Sequence, residues 1–225
     1  MRPPLSAVDI LIISFALATV IIVLTKDHAD RGFDLYGGPG ADALIGDPGD
    51  NLIWGGAGAD IIDGGEGRDI VDYGGSRSGV IVSLADNSAI GGDATGDRIS
   101  NIESIYGSAH DDLLTGDNGA NVLFGNAGAD ILDGKGSADR LEGGKGNDTF
   151  IFLPGDNSTD SVTDFVDGED RIDLSGFGDL SFSDLMISVR IDDTLIDLTG
   201  HGGGRIVLRR FSVTDLDASD FLFAR

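Results

Sequence analysis

A side-chain oxygen recurs at one fixed position of a nine-residue period in two parts of the chain. The first block begins at Gly37 and reads GGPGADALI, GDPGDNLIW, GGAGADIID and GGEGRDIVD, and five further units begin at Gly107. Side-chain oxygens and backbone carbonyls together supply the six to eight ligands that Ca²⁺ accepts, whereas the strict octahedron of Mg²⁺ suits such turns poorly. The candidate metal ligands at position six are Asp42, Asn51, Asp60, Asp69, Asp112, Asn121, Asp130, Asp139 and Asp148.

The glycines of each unit are the second set of candidates. Glycine adopts positive φ angles at no steric cost and allows a backbone carbonyl to approach an ion closely. A metal-free solenoid, in which glycines serve only turns and the aspartates are solvated, is the alternative, but an acid recurring beside glycine favours calcium. The candidate backbone contributors are Gly37, Gly55, Gly64, Gly125 and Gly143.

Three residues depart from this pattern. Asn51 and Asn121 replace the aspartate, and Ser137 replaces a glycine. A neutral amide oxygen binds a cation more weakly than a carboxylate. We therefore expect weak or empty sites beside these residues.

Each unit reads as a turn followed by a short strand whose eighth residue is apolar and faces inward. Two units then make one coil, and units eighteen residues apart stack on the same side. This arrangement places Asp42 over Asp60 and Asn51 over Asp69. The sequence therefore predicts an all-β fold, a right-handed parallel β-roll.

Two inward apolar residues per coil provide little burial compared with the entropy lost on ordering eighteen residues. Metal binding that requires the folded turns contributes its free energy to folding. We therefore expect repeats that are largely disordered without calcium and fold when they bind it.

The organisation along the chain follows from where the period starts and stops. We predict repeat blocks at 31–72 and 107–152, separated by an irregular insert at 73–106. Residues 153–225 contain strand-like stretches separated by turn signals, which predict an antiparallel β unit that closes the roll.

Residues 1–30 contain an uncharged run from Ile10 to Leu24. Its length predicts a hydrophobic helix, and residues 5–24 are long enough for an uncleaved membrane anchor. A cleaved signal sequence and a buried core helix are the alternatives. If the segment is an anchor, the amino terminus would stay in the cytoplasm and the rest of the chain would lie outside it.

The composition excludes several functions. With 39 acidic and 15 basic residues, the formal charge of −24 argues against nucleic acid as a partner. Cysteine is absent, and the three histidines, His28, His110 and His201, are isolated, so a zinc-hydrolase site lacks its ligands. No GxSxG nucleophile motif is present. We therefore predict a protein that is not an enzyme.

Residues 37–72 and 107–152 resemble the G-G-x-G-x-D-x-U-x repeat of the RTX, or hemolysin-type, calcium-binding family. The stretch DSVTDFVDGEDRIDLSGF and the ending DASDFLF resemble the C-terminal region of serralysin-type metalloproteases, although the HExxH helix of the protease domain is missing. The resemblance implies several bound calcium ions, a β-roll, and export unfolded through type I secretion machinery. It implies an extracellular or cell-surface location.

The function predicted from these observations is calcium binding coupled to folding in an extracytoplasmic RTX protein with an unknown surface ligand. A calcium-dependent adhesin or structural protein is one alternative, and a non-catalytic accessory or remnant of a secreted metalloprotease is another. Trp54 and Phe124, at position nine, offer a sugar- or partner-binding surface unless they pack along the roll.

Overall fold

The computed structural model describes the backbone of residues 10–15 and 19–24 and describes residues 33–224 in full. Strands β1 (Ile10–Phe15) and β2 (Thr19–Leu24) pair antiparallel, and β2 pairs in parallel with β4 (Ala43–Ile45). The predicted N-terminal helix is therefore wrong where the structure describes this segment. Isoleucine and valine make up three of the six residues of β1 and four of the six residues of β2, and β-branched residues favour strand over helix.

The remainder of the predicted anchor, at residues 5–9 and 16–18, lies outside the described residues. Among the described residues, no helix combines the length and apolar character needed to cross a bilayer.

Short strands succeed one another along the rest of the described chain, and no α-helix interrupts them there. The first block contains β3 (Asp34–Tyr36), β4, β5 (Leu52–Trp54), β6 (Ile61–Asp63) and β7 (Ile70–Asp72). The insert contains β8 (Ile81–Ser83), β9 (Ser88–Ile90), β10 (Arg98–Ser100) and β11 (Ser104–Tyr106). The second block contains β12 (Leu113–Thr115), β13 (Val122–Ala127), β14 (Ile131–Asp133), β15 (Arg140–Lys145) and β16 (Thr149–Ile151).

The C-terminal region contains β17 (Thr159–Val162), β18 (Arg171–Asp173), β19 (Met186–Arg190), β20 (Asp193–Asp197), β21 (Arg205–Leu208) and β22 (Phe221–Leu222). Five short 3₁₀ helices also occur, at Gly92–Ala94, Ser175–Phe177, Phe182–Asp184, Thr199–His201 and Ala218–Asp220.

Successive repeat strands alternate between two sheets. The first sheet has the order β1-β2-β4-β6-β10-β9-β8-β12-β14-β16-β18-β22, and the second has the order β19-β20-β21-β17-β15-β13-β11-β7-β5-β3. Within each block, parallel neighbours pair residues eighteen apart, as Leu44 with Ile62 and Leu114 with Leu132. The predicted two-unit coil of a parallel β-roll is confirmed.

The core lies between the two sheets and is built from the eighth residue of each unit. All nine of these side chains are fully buried, because every strand turns its middle residue inward. They are Leu44, Ile53, Ile62, Val71, Leu114, Leu123, Leu132, Leu141 and Phe150.

The insert continues the roll instead of interrupting it. Strands β8, β9 and β10 form an antiparallel meander inside the first sheet, between β6 and β12, and β11 occupies the place between β7 and β13 in the second. Ile105 pairs with Val71 on one side and Leu123 on the other. Both sheets therefore run through residues 73–106.

The C-terminal region extends both sheets as well. Strands β18 and β22 pair in parallel at the end of the first sheet. Strands β17 and β21 also pair in parallel, and they belong to the second sheet. The predicted antiparallel unit corresponds to β19, β20 and β21, which form an antiparallel meander at the edge of the second sheet.

Candidate calcium sites

The residues at position six form two ladders along the roll. In five of the repeat aspartates, one carboxylate oxygen accepts a hydrogen bond from the backbone N–H of the position-six residue one coil earlier. The Asp42 N–H donates to Asp60 Oδ1 at 2.8 Å, and the Asn51 N–H donates to Asp69 Oδ1 at 2.7 Å. The structure thus brings together the pairs predicted from the period. The same bond, at 2.8–2.9 Å, joins Asp112 to Asp130, Asn121 to Asp139 and Asp130 to Asp148.

The ladders continue beyond the repeats through four acids that the nine-residue period did not identify. Asp97, Glu103, Asp160 and Asp170 accept from the backbone N–H of Asp60, Asp69, Asp139 and Asp148, at 2.8–3.0 Å. Each of the four stands two residues before a buried apolar residue, as position six stands before position eight. That acid-x-apolar spacing was the signal available in the sequence.

The second carboxylate oxygen distinguishes the ladder residues from one another. In five repeat aspartates Oδ2 is buried and has no hydrogen-bond partner, although the residues are at most 3% exposed. A buried carboxylate oxygen without a donor is costly, so these atoms lie where a cation would be favourable. The five are Asp60, Asp69, Asp130, Asp139 and Asp148.

The loops before the strands fall into two conformational classes. Six units have positive φ at positions two and four, for example +90° and +155° at Gly56 and Gly58. We call these the open loops, and they comprise residues 37–42, 55–60, 64–69, 125–130, 134–139 and 143–148. The three closed loops, which lack positive φ at both positions, comprise residues 46–51, 107–112 and 116–121.

A closed loop satisfies its own position-six side chain. In loop 116–121 the Asp117 N–H donates to Asn121 Oδ1 at 2.8 Å, while Asp117 Oδ1 accepts from the Gly119 N–H at 2.7 Å. In loop 107–112 the Ser108 N–H and hydroxyl donate to the two oxygens of Asp112, at 2.5 Å and 2.8 Å. A short polar side chain at position two thus bends the loop onto itself.

The third closed loop, residues 46–51, follows the same scheme. The Asp47 N–H donates to Asn51 Oδ1 at 3.0 Å, and Asp47 Oδ1 accepts from the Gly49 N–H at 2.9 Å. It differs in one respect, because Asp47 Oδ2 is itself buried without a partner.

Comparison with protein families identifies an RTX calcium-binding nonapeptide repeat in four copies, at residues 36–71, 106–141, 115–150 and 124–158. Residues 36–71 and 106–158 therefore contain RTX calcium-binding repeats. These matches contain every open loop, and RTX repeats bind several calcium ions per domain. Comparison with curated proteins finds no significant match.

Solved structures provide three further similarities. The AlgE6R3 subunit of the mannuronan C5-epimerase from Azotobacter vinelandii is 23% identical over 83% of this chain and 80% of that one, with a TM-score of 0.38. The AlgE6R2 subunit of the same enzyme is 30% identical over 52% and 89%, with a TM-score of 0.41. The extracellular lipase LipA from Serratia marcescens is 20% identical over 88% of this chain and 41% of its own length, with a TM-score of 0.37.

The RTX glycines at position one explain how the carboxylates fit. A Cβ atom at Gly37 would lie 2.6 Å from Asp42 Oδ2, and one at Gly64 would lie 2.6 Å from Asp69 Oδ2. Both distances are shorter than any real Cβ contact, so a side chain here would displace the carboxylate. A Cβ atom added at Gly55, Gly125 or Gly143 would meet the Oδ2 atom of its own unit in the same way. All five predicted glycines lie in open loops.

Burial raises the pKa of ladder carboxyls along the roll, including that of Asp97 to about 7. Asp69 and Asp130 reach a pKa of about 7 and Asp139 one of about 8, mainly because burial penalises the charged form, and neighbouring acids add to the effect. The backbone N–H at Oδ1 opposes this increase only in part. A divalent cation would supply the positive charge that these groups need to ionise.

The residues present suit calcium because every donor is an oxygen. Among the described residues, no three histidine, cysteine or acidic side chains converge as a metal cluster. One or two carboxylates together with loop carbonyls are a common calcium ligand set.

The position-nine aromatic residues pack along the roll. Trp54 stacks on Tyr36 with ring centroids 4.4 Å apart and an interplanar angle of 5°, and Phe124 meets Tyr106 edge-on at 4.5 Å. Arg140 lies over the Phe124 ring, 5.3 Å from its centroid. These rings form cross-strand pairs on the outer face of the second sheet, and Trp54 directs one ring face to Tyr36.

Proposed function

We propose that this RTX protein is a non-catalytic module whose open loops bind calcium and whose β-roll forms as a result. The observation that carries this proposal is the set of five buried Oδ2 atoms without a hydrogen-bond donor. Without a cation, folding at neutral pH must either bury these charges or protonate them, and both cost free energy. Bound calcium removes that cost, so its binding free energy becomes folding free energy.

Not every predicted ligand has the same role in this proposal. Asp60, Asp69, Asp130, Asp139 and Asp148 would bind through Oδ2, and Asp42 joins them because its loop is open. Asn51, Asp112 and Asn121 belong to closed loops, whose N–H groups already occupy their oxygens. These three would support the ladders without contacting the ion.

The proposed location is outside the cytoplasm. RTX repeat proteins are typically secreted, and extracellular calcium modules bind in the range of about 10⁻⁴–10⁻³ M. Sites of that affinity would stay empty where calcium is scarce and fill outside the cell, so the chain could pass through type I secretion machinery before it folds. The serralysin-like C-terminal residues support this export route.

The test is a calcium titration of the full chain followed by far-UV circular dichroism, with magnesium as the ionic control. We expect a cooperative gain of β signal with calcium alone. The variant Asp139→Asn should need a higher calcium concentration, whereas Asp179→Asn, which changes an exposed aspartate away from the loops, should not. A β signal that is complete in chelator would refute the proposal.

A further inference from the structure

The buried oxygens without donors are distributed unevenly along the roll. On the N-terminal side they belong to Asp47, Asp60 and Asp69. On the C-terminal side they begin at Asp130 and continue through the remaining open loops and Asp220. In the described stretch from residue 70 to residue 129, no buried side-chain oxygen lacks a hydrogen-bond partner.

Asp97, a ladder acid of the insert, shows how a buried carboxylate oxygen finds a donor in this stretch. Asp97 Oδ1 accepts from the Asp60 N–H, as a repeat aspartate would, and Asp97 Oδ2 accepts from the Tyr73 hydroxyl at 3.0 Å. Both groups are buried, with exposures of 2%. The phenol thus supplies to Asp97 the donor that Oδ2 lacks in the open loops.

The next positions along the ladders are satisfied in other ways. Glu103 takes the place of an aspartate and reaches the Asp69 N–H through a longer side chain. Asp112 and Asn121 follow in the closed loops 107–112 and 116–121, whose position-two residues supply the remaining donors. From Asp97 to Asn121, every buried side-chain oxygen of the ladders therefore has a hydrogen-bond donor within the chain.

This stretch also has a continuous framework of its own. Strands β10, β9, β8 and β12 are neighbours in the first sheet, and β11 and β13 are neighbours in the second. Between them lie buried side chains that include Val82, Ile99, Ile105, Leu114 and Leu123. The segment thus contains two facing sheets and a core, which is the minimum arrangement for residual structure.

We propose that residues 73–124 form a calcium-independent centre, flanked by two arms, residues 37–72 and 125–151, that become ordered only with calcium. This inference rests on the proposed calcium-coupled folding and specifies where that coupling acts. Calcium would then extend an existing two-sheet template in both directions instead of nucleating a new one, which lowers the loop-closure cost of adding each coil.

The test is hydrogen–deuterium exchange with mass spectrometry on the full chain, in calcium and in chelator at neutral pH. In calcium, amides of all three segments should be protected. In chelator, amides of 73–124 should exchange at least about tenfold more slowly than those of the two arms. If the centre exchanges as fast as the arms, this inference is overturned while calcium-coupled folding stands. If the arms remain as protected in chelator as in calcium, the proposed function itself fails.

A tyrosine pair provides matched variants. Tyr73→Phe removes the donor to Asp97 Oδ2, and Tyr106→Phe removes a hydroxyl that makes no hydrogen bond within the described part of the chain. Tyr73→Phe leaves Asp97 Oδ2 buried without a donor, so it should increase exchange of the centre in chelator by about tenfold or more. Tyr106→Phe should leave it within about twofold. Equal effects of the two variants would show that the phenol does not replace a cation at Asp97.

Discussion

Replacing the position-four glycine of an open loop should weaken calcium-dependent folding far more than the same change in a closed loop. Gly146, in open loop 143–148, has φ +136°, and an added Cβ would overlap the carbonyl oxygen of Gly128 one coil earlier. Gly119, at the same position of closed loop 116–121, has no positive φ. A Cβ atom added at Gly119 would lie 3.0 Å from the nearest atom, an oxygen of the Asp117 carboxylate.

The magnitude follows from two costs in Gly146→Ala. A non-glycine residue in this backbone region costs about 1–3 kcal/mol. Relieving the overlap must also move the loop stack and strain the bond from the Gly128 N–H to the Lys145 carbonyl, 2.9 Å long, at a cost of about 1 kcal/mol. The sum is roughly 3 kcal/mol. If it is shared among the three open loops of the C-terminal arm, it amounts to about 1 kcal/mol per ion, or an approximately fivefold higher calcium midpoint.

The assay is the calcium midpoint of the far-UV signal for Gly146→Ala and Gly119→Ala measured side by side. Gly119→Ala should shift the midpoint by less than about twofold, since no positive φ is involved. Equal shifts for the two alanine variants, or a normal midpoint in Gly146→Ala, would show that the open conformation is not the one that binds calcium.

Three further results are expected. In chelator, β signal should increase as the pH falls from 8 to 5, because the folded pKa values of Asp130 and Asp139, about 7 and about 8, exceed those of the unfolded chain. Once the pH is below the folded pKa of a group, each further unit of acidification returns about 1.4 kcal/mol of stability to the metal-free fold, until the pH reaches the unfolded pKa. A β signal in chelator that declines on acidification would contradict this sign. Leu132→Ala should cost about 2–5 kcal/mol in calcium-saturated unfolding by denaturant, whereas Ile131→Ala, at a side chain 39% exposed, should cost much less. Asn121→Asp should add no calcium ion by isothermal titration calorimetry, since the Asp117 N–H already occupies that oxygen; an extra bound ion would refute the role assigned to closed loops.

The sequence predicted the register of the roll because the inward residue and the ladder acid repeat with the same period. Eighteen residues separate Leu44 from Ile62 and also Asp42 from Asp60, so one spacing determined both the core and the pairing of the acids. The insert was harder to interpret, because the nine-residue period is absent there. Asp97 and Glu103 keep only the two-residue step to Ile99 and Ile105.

The difference between open and closed loops was not predicted, since it depends on hydrogen bonds within a turn. Asn51 was expected to mark a weak site because its amide is neutral, whereas the structure points to Asp47, which closes the loop through its own N–H and carboxylate. Position two alone does not settle the matter, because Asn126 and Lys135 adopt the open conformation without being glycine. What the closed loops share is a short side chain at position two that accepts from the position-four N–H.

The N-terminal prediction was wrong for a different reason. A short apolar run has no period that distinguishes helix from strand. Residues 10–13 and 20–23 are mostly isoleucine and valine, and that composition favoured strands more than the length favoured a spanning helix.

The ladders give the roll a direction. In each of these ladder hydrogen bonds, the donating N–H lies on the earlier coil and the accepting carboxylate lies on the later one. A roll cut short at its C-terminal side would therefore end in unpaired N–H groups beside open strand edges, which can pair with another chain. A roll cut short at its N-terminal side would instead end in carboxylates, which remain hydrated and repel their counterparts on other molecules. The two ends of an incomplete roll are thus chemically unlike, and self-association is the particular hazard of a chain that lacks its last coils.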